Sequence, residues 1–241
     1  MFQNLQIVVL HTIKYRDSSL IVQGYSNLGG RQSFVIRTGK GSKNYAALSQ
    51  LHPLSIIDTE LVGGARGEMG TIKEYTPAYK LPEIRCNIHK SAIAIFISEL
   101  VYRTIKEVEQ NKEMYNFISR SILQLEAIES GVANFHTWFI VEMSRHMGYT
   151  PECDYSESKP LFDIVSGGFT NDVILSDLCF SSKSSSILAT LLNIKPEDLH
   201  SLKTGGNERY NFIKDMIKYL SYHTGYTIEV HSIEVLHEVF E

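Results

Sequence analysis

The chain changes its hydrophobic period once, between Tyr79 and Pro82, and that change limits the folds open to it. Upstream, apolar residues alternate with polar ones in short runs separated by turn residues. Downstream they recur at three- and four-residue spacing, as on a helix face. The upstream runs are residues 5–10, 19–25, 32–37, 54–62 and 70–76. In the second, Leu20, Val22 and Gly24 oppose Ile21, Gln23 and Tyr25. In the fourth, Leu54, Ile56, Asp58, Glu60 and Val62 oppose Ser55, Ile57, Thr59 and Leu61. Asn27-Leu28-Gly29-Gly30 marks a turn between the second and third runs, because glycine reaches positive φ at little cost. Pro53 opens the fourth, where a missing N–H does least harm. Five short strands in under 80 residues predict a small closed or partly closed barrel. The expected class is therefore α+β, with a five-stranded barrel over residues 1–79 and an all-helical domain over 80–241.

Two apolar rows on one helix follow from residue 88: Ala92, Phe96 and Leu100, then Ile93, Ile97 and Val101. So wide an apolar face predicts a central helix. Asn111 and Asn134 stand where they could cap the next two helices. Gly148 and Pro151 stop the second of these, residues 135–147. Residues 151–182 are irregular, and residues 181–186 read as a loop entering a helix. Helices are expected to resume over 184–193, 196–199, 207–224 and 232–240.

Charge divides at the same place. The whole chain has 23 basic and 27 acidic residues; the first 79 hold 8 and 5, which leaves the remainder with 15 and 22. A basic module attached to an acidic body implies an anionic partner for the module. Its cations, Lys14, Arg16, Arg31, Arg37, Lys40, Lys43 and Arg66, fall in or beside predicted turns and loops, above all Arg37-Thr38-Gly39-Lys40-Gly41-Ser42-Lys43. Tyr15, Tyr25, Phe34 and Tyr45 are the aromatics available for stacking, and cations with aromatics are what single-strand sites combine.

Catalytic templates are absent. Gly39-Lys40 lacks the upstream glycine and following Ser/Thr of a phosphate loop, since Phe34 and Gly41 occupy those places. No histidine pair has the His-Glu-x-x-His spacing, and there is no Gly-x-Ser-x-Gly turn. His11, His52 and His136 read as packing residues, and Glu107, Glu109, Glu126 and Glu129 as a solvated face. Cys86, Cys153 and Cys179 are odd in number and far apart, which fits a reducing cytoplasm better than a disulfide framework. No run approaches the ~20 apolar residues of a membrane helix. The first ten residues lack the basic flank of a secretory leader.

Several segments, taken in order, resemble the bacterial recombination-mediator family RecO. They are Val9-Leu10, Tyr15-Arg16-Asp17-Ser18-Ser19-Leu20-Ile21, Gly29-Gly30, the Gly/Lys loop and Leu51-His52-Pro53-Leu54. In the helical half, Ser98-Glu99-Leu100-Val101-Tyr102, Glu107-Val108-Glu109-Gln110-Asn111, Met147-Gly148-Tyr149-Thr150-Pro151, Tyr222-His223 and Ser232-Ile233-Glu234-Val235-Leu236 agree. The flavour is that of Bacteroidetes-type members. The resemblance implies an N-terminal OB-fold and a non-catalytic role in DNA repair and homologous recombination. It implies binding of single- and double-stranded DNA and annealing of complementary strands. It also implies help in loading RecA onto strands coated by single-strand-binding protein (SSB), together with RecR and often RecF. A nucleoid-associated location in the bacterial cytoplasm follows. The acidic C-terminal tail of SSB would dock on the helical domain, with Arg103, Arg120 and Arg145 as candidate cations. Many members carry a four-cysteine zinc module after the third helix. Here residues 151–182 retain only Cys153 and Cys179, so no cofactor is expected. Two other classes compete: an OB-type adaptor for RNA or protein, and an enzyme built on His136 with Glu142.

Overall fold

The computed structural model describes residues 3–38, 48, 50–62, 69–171 and 178–241. Five strands, β1 (Gln3–Arg16), β2 (Ser19–Ser26), β3 (Gly30–Arg37), β4 (Ile56–Val62) and β5 (Gly70–Pro77), close a barrel in the order β1-β2-β3-β5-β4. All neighbours are antiparallel except β3 and β5. Alternation sends Leu5, Ile7, Val9, Val22, Phe34, Ile36, Ile57, Ile72 and Tyr75 into one interior, which Leu51 helps to fill. The helices are α1 (Pro82–Cys86), α2 (Ile88–Thr104), α3 (Lys112–Ala127), α4 (Phe135–His146), α5 (Ser182–Leu191), α6 (Gly206–Thr224) and α7 (Ser232–Val239). A small hairpin, β6 (Leu161–Phe162) with β7 (Phe169–Thr170), lies between α4 and α5. The barrel followed by helices is the architecture expected from the change of period.

Packing divides the chain into two compact units. Residues 1–86 and 94–126 form the first, and 87–93 and 127–241 the second. In the first unit the barrel therefore packs with most of α2 and all but the last residue of α3. The seam is built on the β2–β3 turn. Gly30 has φ +57°, and a Cβ there would meet the carbonyl oxygens of Glu107 and Glu109. Glycine is thus required twice, for the left-handed backbone and for the close approach of residues 107–109. The Arg31 N–H donates to the Glu107 carbonyl at 3.0 Å, and Gln110 Nε2 donates to the Asn27 carbonyl at 3.1 Å. The Tyr115 hydroxyl donates to Gln6 Oε1 at 3.0 Å. The Glu126 carboxylate accepts the Glu83 and Ile84 N–H groups at the start of α1, each at 2.9 Å. It is a helix cap rather than part of a solvated face.

Three sequence expectations change. β1 continues to Arg16, well past residue 10, so Lys14 and Arg16 lie among its last residues, beside the turn at Asp17 and Ser18. Leu54 and Ser55 precede β4. Leu54 is fully buried and has φ 64°, the sole positive-φ non-glycine among the described residues. Its N–H donates to the Val9 carbonyl at 2.8 Å, and Ser55 Oγ donates to the His52 carbonyl at 2.7 Å. These bonds hold a conformation that costs an L-residue about 1–2 kcal/mol. Asn111 does cap α3, accepting the Met114 N–H at 3.0 Å. Asn134 makes no such cap. Its amide instead donates to the carbonyls of Leu199 and Leu202 and accepts from Thr204 Oγ1 at 2.7 Å.

The second unit centres on α4, whose Phe135, Phe139, Ile140, Val141 and Met143 are buried. Thr137 and Ser144 are buried with them. Each hydroxyl donates to a carbonyl three residues back, so neither is left unsatisfied. Phe162 anchors an aromatic cluster with Phe169, Phe180 and Tyr219 at ring-centroid distances of 5.2, 4.9 and 5.4 Å. Ser181 caps α5 by accepting the Ser184 N–H at 3.1 Å.

Candidate nucleic-acid interface

Register fixes which barrel residues stand side by side. Leu20, Val22, Phe34 and Ile36 point to the core. Their neighbours along the strands therefore form the outer face of β1-β2-β3, because successive side chains alternate. Four rows cross that face: Val8–Tyr25–Arg31, His11–Gln23–Ser33, Ile13–Ile21–Val35 and Arg16–Ser19–Arg37. The shifts in β1 between Val9 and His11, and between Lys14 and Arg16, keep these residues on one face across two bulges.

The rows differ in cover. Val8 and Tyr25 are completely buried. Burial, with the nearby Glu107 charge, pushes the Tyr25 hydroxyl up to about 12. Arg31 Nη1 donates to the Tyr102 carbonyl at 2.9 Å, and its guanidinium lies 5.2 Å from the Tyr102 ring centroid. The remaining rows are open or half-open among the described residues. Ser33 Oγ donates to Gln23 Oε1 at 2.8 Å. Ile13 is 42% exposed on a strand where a buried aliphatic would be ordinary. At the far end Arg16 and Arg37 are both exposed and flank Ser19. With strands ~4.8 Å apart their backbones are about 10 Å apart. Arg16 also lies over the Tyr15 ring at 5.0 Å. The face thus runs from sealed, through polar and apolar, to cationic. Cations beside an apolar and polar surface are the combination that single-strand sites use.

The sequence candidates separate accordingly. Arg16 and Arg37 come together. Lys14 pairs with Leu20 and so occupies the other side of the same ribbon, exposed beyond the filled interior. Arg31 is held against Tyr102. Lys40, Lys43, Arg66 and Tyr45 lie outside the described residues. Phe34 is a core residue. The row Ile13–Ile21–Val35 and the polar row beside it were missed by sequence reasoning. Alternation alone marks Ile21 and Gln23 as one side of a strand, but only register shows what stands next to them.

The helical candidates also separate. Arg145 donates to the Leu192 carbonyl and to Glu142 Oε1, each at 2.8 Å. Arg103 pairs with Glu99 at 3.5 Å. Arg120 is exposed. His136 is buried, and that burial, with Arg209 nearby, holds its imidazole down to about 3. Glu142, engaged by Arg145, is not among the residues around the His136 cavity. Cys153 Sγ lies 3.2 Å from Asn193 Nδ2, and Cys179 forms a backbone bridge with Asp163. Among the described residues, no group of three or more His, Cys, Asp or Glu side chains is placed to hold a metal ion. No helix among them is long and apolar enough to cross a membrane.

Residues 1–80 match the family described as Recombination protein O N terminal, and residues 85–158 match Recombination protein O C terminal. The chain is 30% identical to the DNA repair protein RecO of Azobacteroides pseudotrichonymphae, with all of both chains covered. It is 29% identical to the RecO proteins of Flavobacterium psychrophilum, over 97% of each chain, and of Bacteroides fragilis, over the whole of each. With an OB-fold barrel, a helical region in sequence and full-length relatives of one name, the chain belongs to the RecO family of DNA repair proteins.

Proposed function

We propose that this chain is a non-catalytic recombination mediator that binds single- and double-stranded DNA across the open rows of its barrel. It would anneal complementary strands and help load RecA onto SSB-coated single strands, acting with RecR and, where present, RecF. The observation that carries this reading is the Arg16–Ser19–Arg37 row bordering Ile13–Ile21–Val35. Two guanidinium groups can neutralise phosphates while the adjoining row takes the apolar faces of sugars and bases. Lys40, Lys43 and Arg66 from the loops would add phosphate contacts, and Lys14, on the other side of the ribbon, a weaker one. Binding of this kind releases counterions and ignores sequence, so base pairing decides which strands anneal. For the acidic SSB tail, Arg120 is the exposed helical candidate, whereas Arg103 and Arg145 have partners of their own. The proposed setting is the bacterial cytoplasm, at the nucleoid.

The test is annealing of complementary oligonucleotides coated with SSB. The protein should accelerate it, and Arg16→Ala/Arg37→Ala should remove most of the acceleration. No acceleration by the wild-type chain would overturn the mediator reading. Tighter binding to RNA than to DNA would favour the adaptor class instead.

A further inference from the structure

We infer that a groove between the barrel and the part of α2 that belongs to the first unit seats one base of a single strand lying across the open rows. This rests on the nucleic-acid reading above. The groove is lined by Leu10, Pro53, Ile95 and Tyr102, with His11 and Arg103 beside them, and has a volume of about 270 Å³.

Continuity is the first argument. His11 belongs both to the groove lining and to the open row nearest the covered part of the sheet. A strand that runs from Arg16 and Arg37 across the open rows to His11 therefore arrives at the groove. The lining chemistry also suits a base. Leu10, Pro53 and the 41% exposed Ile95 supply aliphatic walls, and Tyr102 supplies a ring. That ring is placed by the Arg31 guanidinium at 5.2 Å and by the His11 ring at 6.2 Å. Aromatic and aliphatic surfaces accept any base, because every base has a π-face.

Charge is the third argument. Partial burial, with Arg31 and Arg103 nearby, lowers the Lys106 pKa. Of these cations Arg103 lines the groove, where a phosphate at the rim would meet it. The Glu99–Arg103 pair on α2 is a half-buried i,i+4 pair at 3.5 Å, and a phosphate would compete with Glu99 for that guanidinium. Size is the fourth. The volume lies just below the ~300–1,000 Å³ of ordinary ligand pockets, which suits one base better than a folded peptide segment.

The experiment walks a single 2-aminopurine through a short single strand and reads its fluorescence on binding, with anisotropy reporting total affinity. On the wild-type chain one register should respond distinctly. Ile95→Trp, which fills the groove from an exposed position and so preserves the fold, should abolish that response. Tyr102→Leu should abolish it too and weaken total affinity roughly 5-fold. Arg16→Ala/Arg37→Ala should lower affinity but keep the response at saturation. Uniform probe response on a wild-type chain that binds DNA would overturn the groove assignment alone. So would an unchanged response in Ile95→Trp, or groove variants that lose an acidic Phe-ended peptide but not the oligonucleotide. Failure of the wild-type chain to bind any oligonucleotide would overturn both this assignment and the reading beneath it.

Discussion

Arg31 is bound to Tyr102 twice, by a 2.9 Å hydrogen bond from Nη1 to the carbonyl oxygen and by its guanidinium 5.2 Å from the ring centroid. A cation in a basic barrel thereby becomes a structural link between β3 and α2. Its backbone N–H is engaged as well, on the Glu107 carbonyl. Arg31→Ala should therefore cost stability, about 1–3 kcal/mol for a charged hydrogen bond with a cation–π contact. Its effect on DNA affinity should be smaller than that of Arg16→Ala. Urea unfolding and anisotropy titrations check the two halves separately. A large affinity loss with unchanged stability would place Arg31 on the ligand instead.

The contrast between Arg31 and Arg16 shows what the sequence could and could not convey. Alternation and turn residues made the five strands and their order of appearance legible, because a half-buried strand must repeat every second residue. Neighbours across strands depend on register, and register here includes two bulges in β1 that no local pattern announces. The two arginines were therefore equivalent as letters. Packing made one a clasp and left the other exposed. Asn134 shows the same limit: its place before α4 suits a cap, yet its amide bonds carbonyls more than sixty residues away. Family-wide segment order carried the functional reading, because composition gave only a modest basic excess.

Leu54 sets two effects against each other. Its left-handed backbone, φ 64°, would be relaxed by glycine, a gain of about 1–2 kcal/mol. Its side chain is fully buried, and truncating a buried leucine costs about 2–5 kcal/mol. The lost packing outweighs the relieved strain. Leu54→Gly should destabilise the chain by about 2 kcal/mol, and Leu54→Ala, which keeps the strain and loses packing, by more. Chemical denaturation of both variants checks the order. Leu54→Gly more stable than wild type would show that strain dominates this turn.

Arg16→Ala/Arg37→Ala addresses the cationic row. Each single-strand phosphate contact contributes about 0.7 to the slope of log affinity against log salt. Removing both side chains should flatten the slope by about 1.4 if each engages one phosphate. Lys14→Ala, on the other side of the ribbon, should change it by less than either arginine. Titrations between low and physiological salt measure this directly. An unchanged slope in the double variant would remove these residues from the DNA path.

His136 gives the molecule an acid limit. The imidazole is sealed in the second unit, with Arg209 nearby and the Phe240 ring 6.0 Å away; His237 also lines the adjoining cavity. Burial and the Arg209 charge lower its pKa from 6.5 to about 3, so the folded state resists protonation where the unfolded chain accepts it. Between those values the unfolded state binds more protons, and stability must rise with pH. The contribution is therefore fully present above about pH 7 and is lost as the pH falls toward 3. One proton corresponds to a slope of about 1.4 kcal/mol per pH unit. His136→Asn removes the titration. It should be less stable than wild type at about pH 7.5, and its stability should fall less steeply between about pH 6 and 4. Denaturation at several pH values checks this. Equal slopes for the two proteins would mean that His136 is not the group that sets the acid limit.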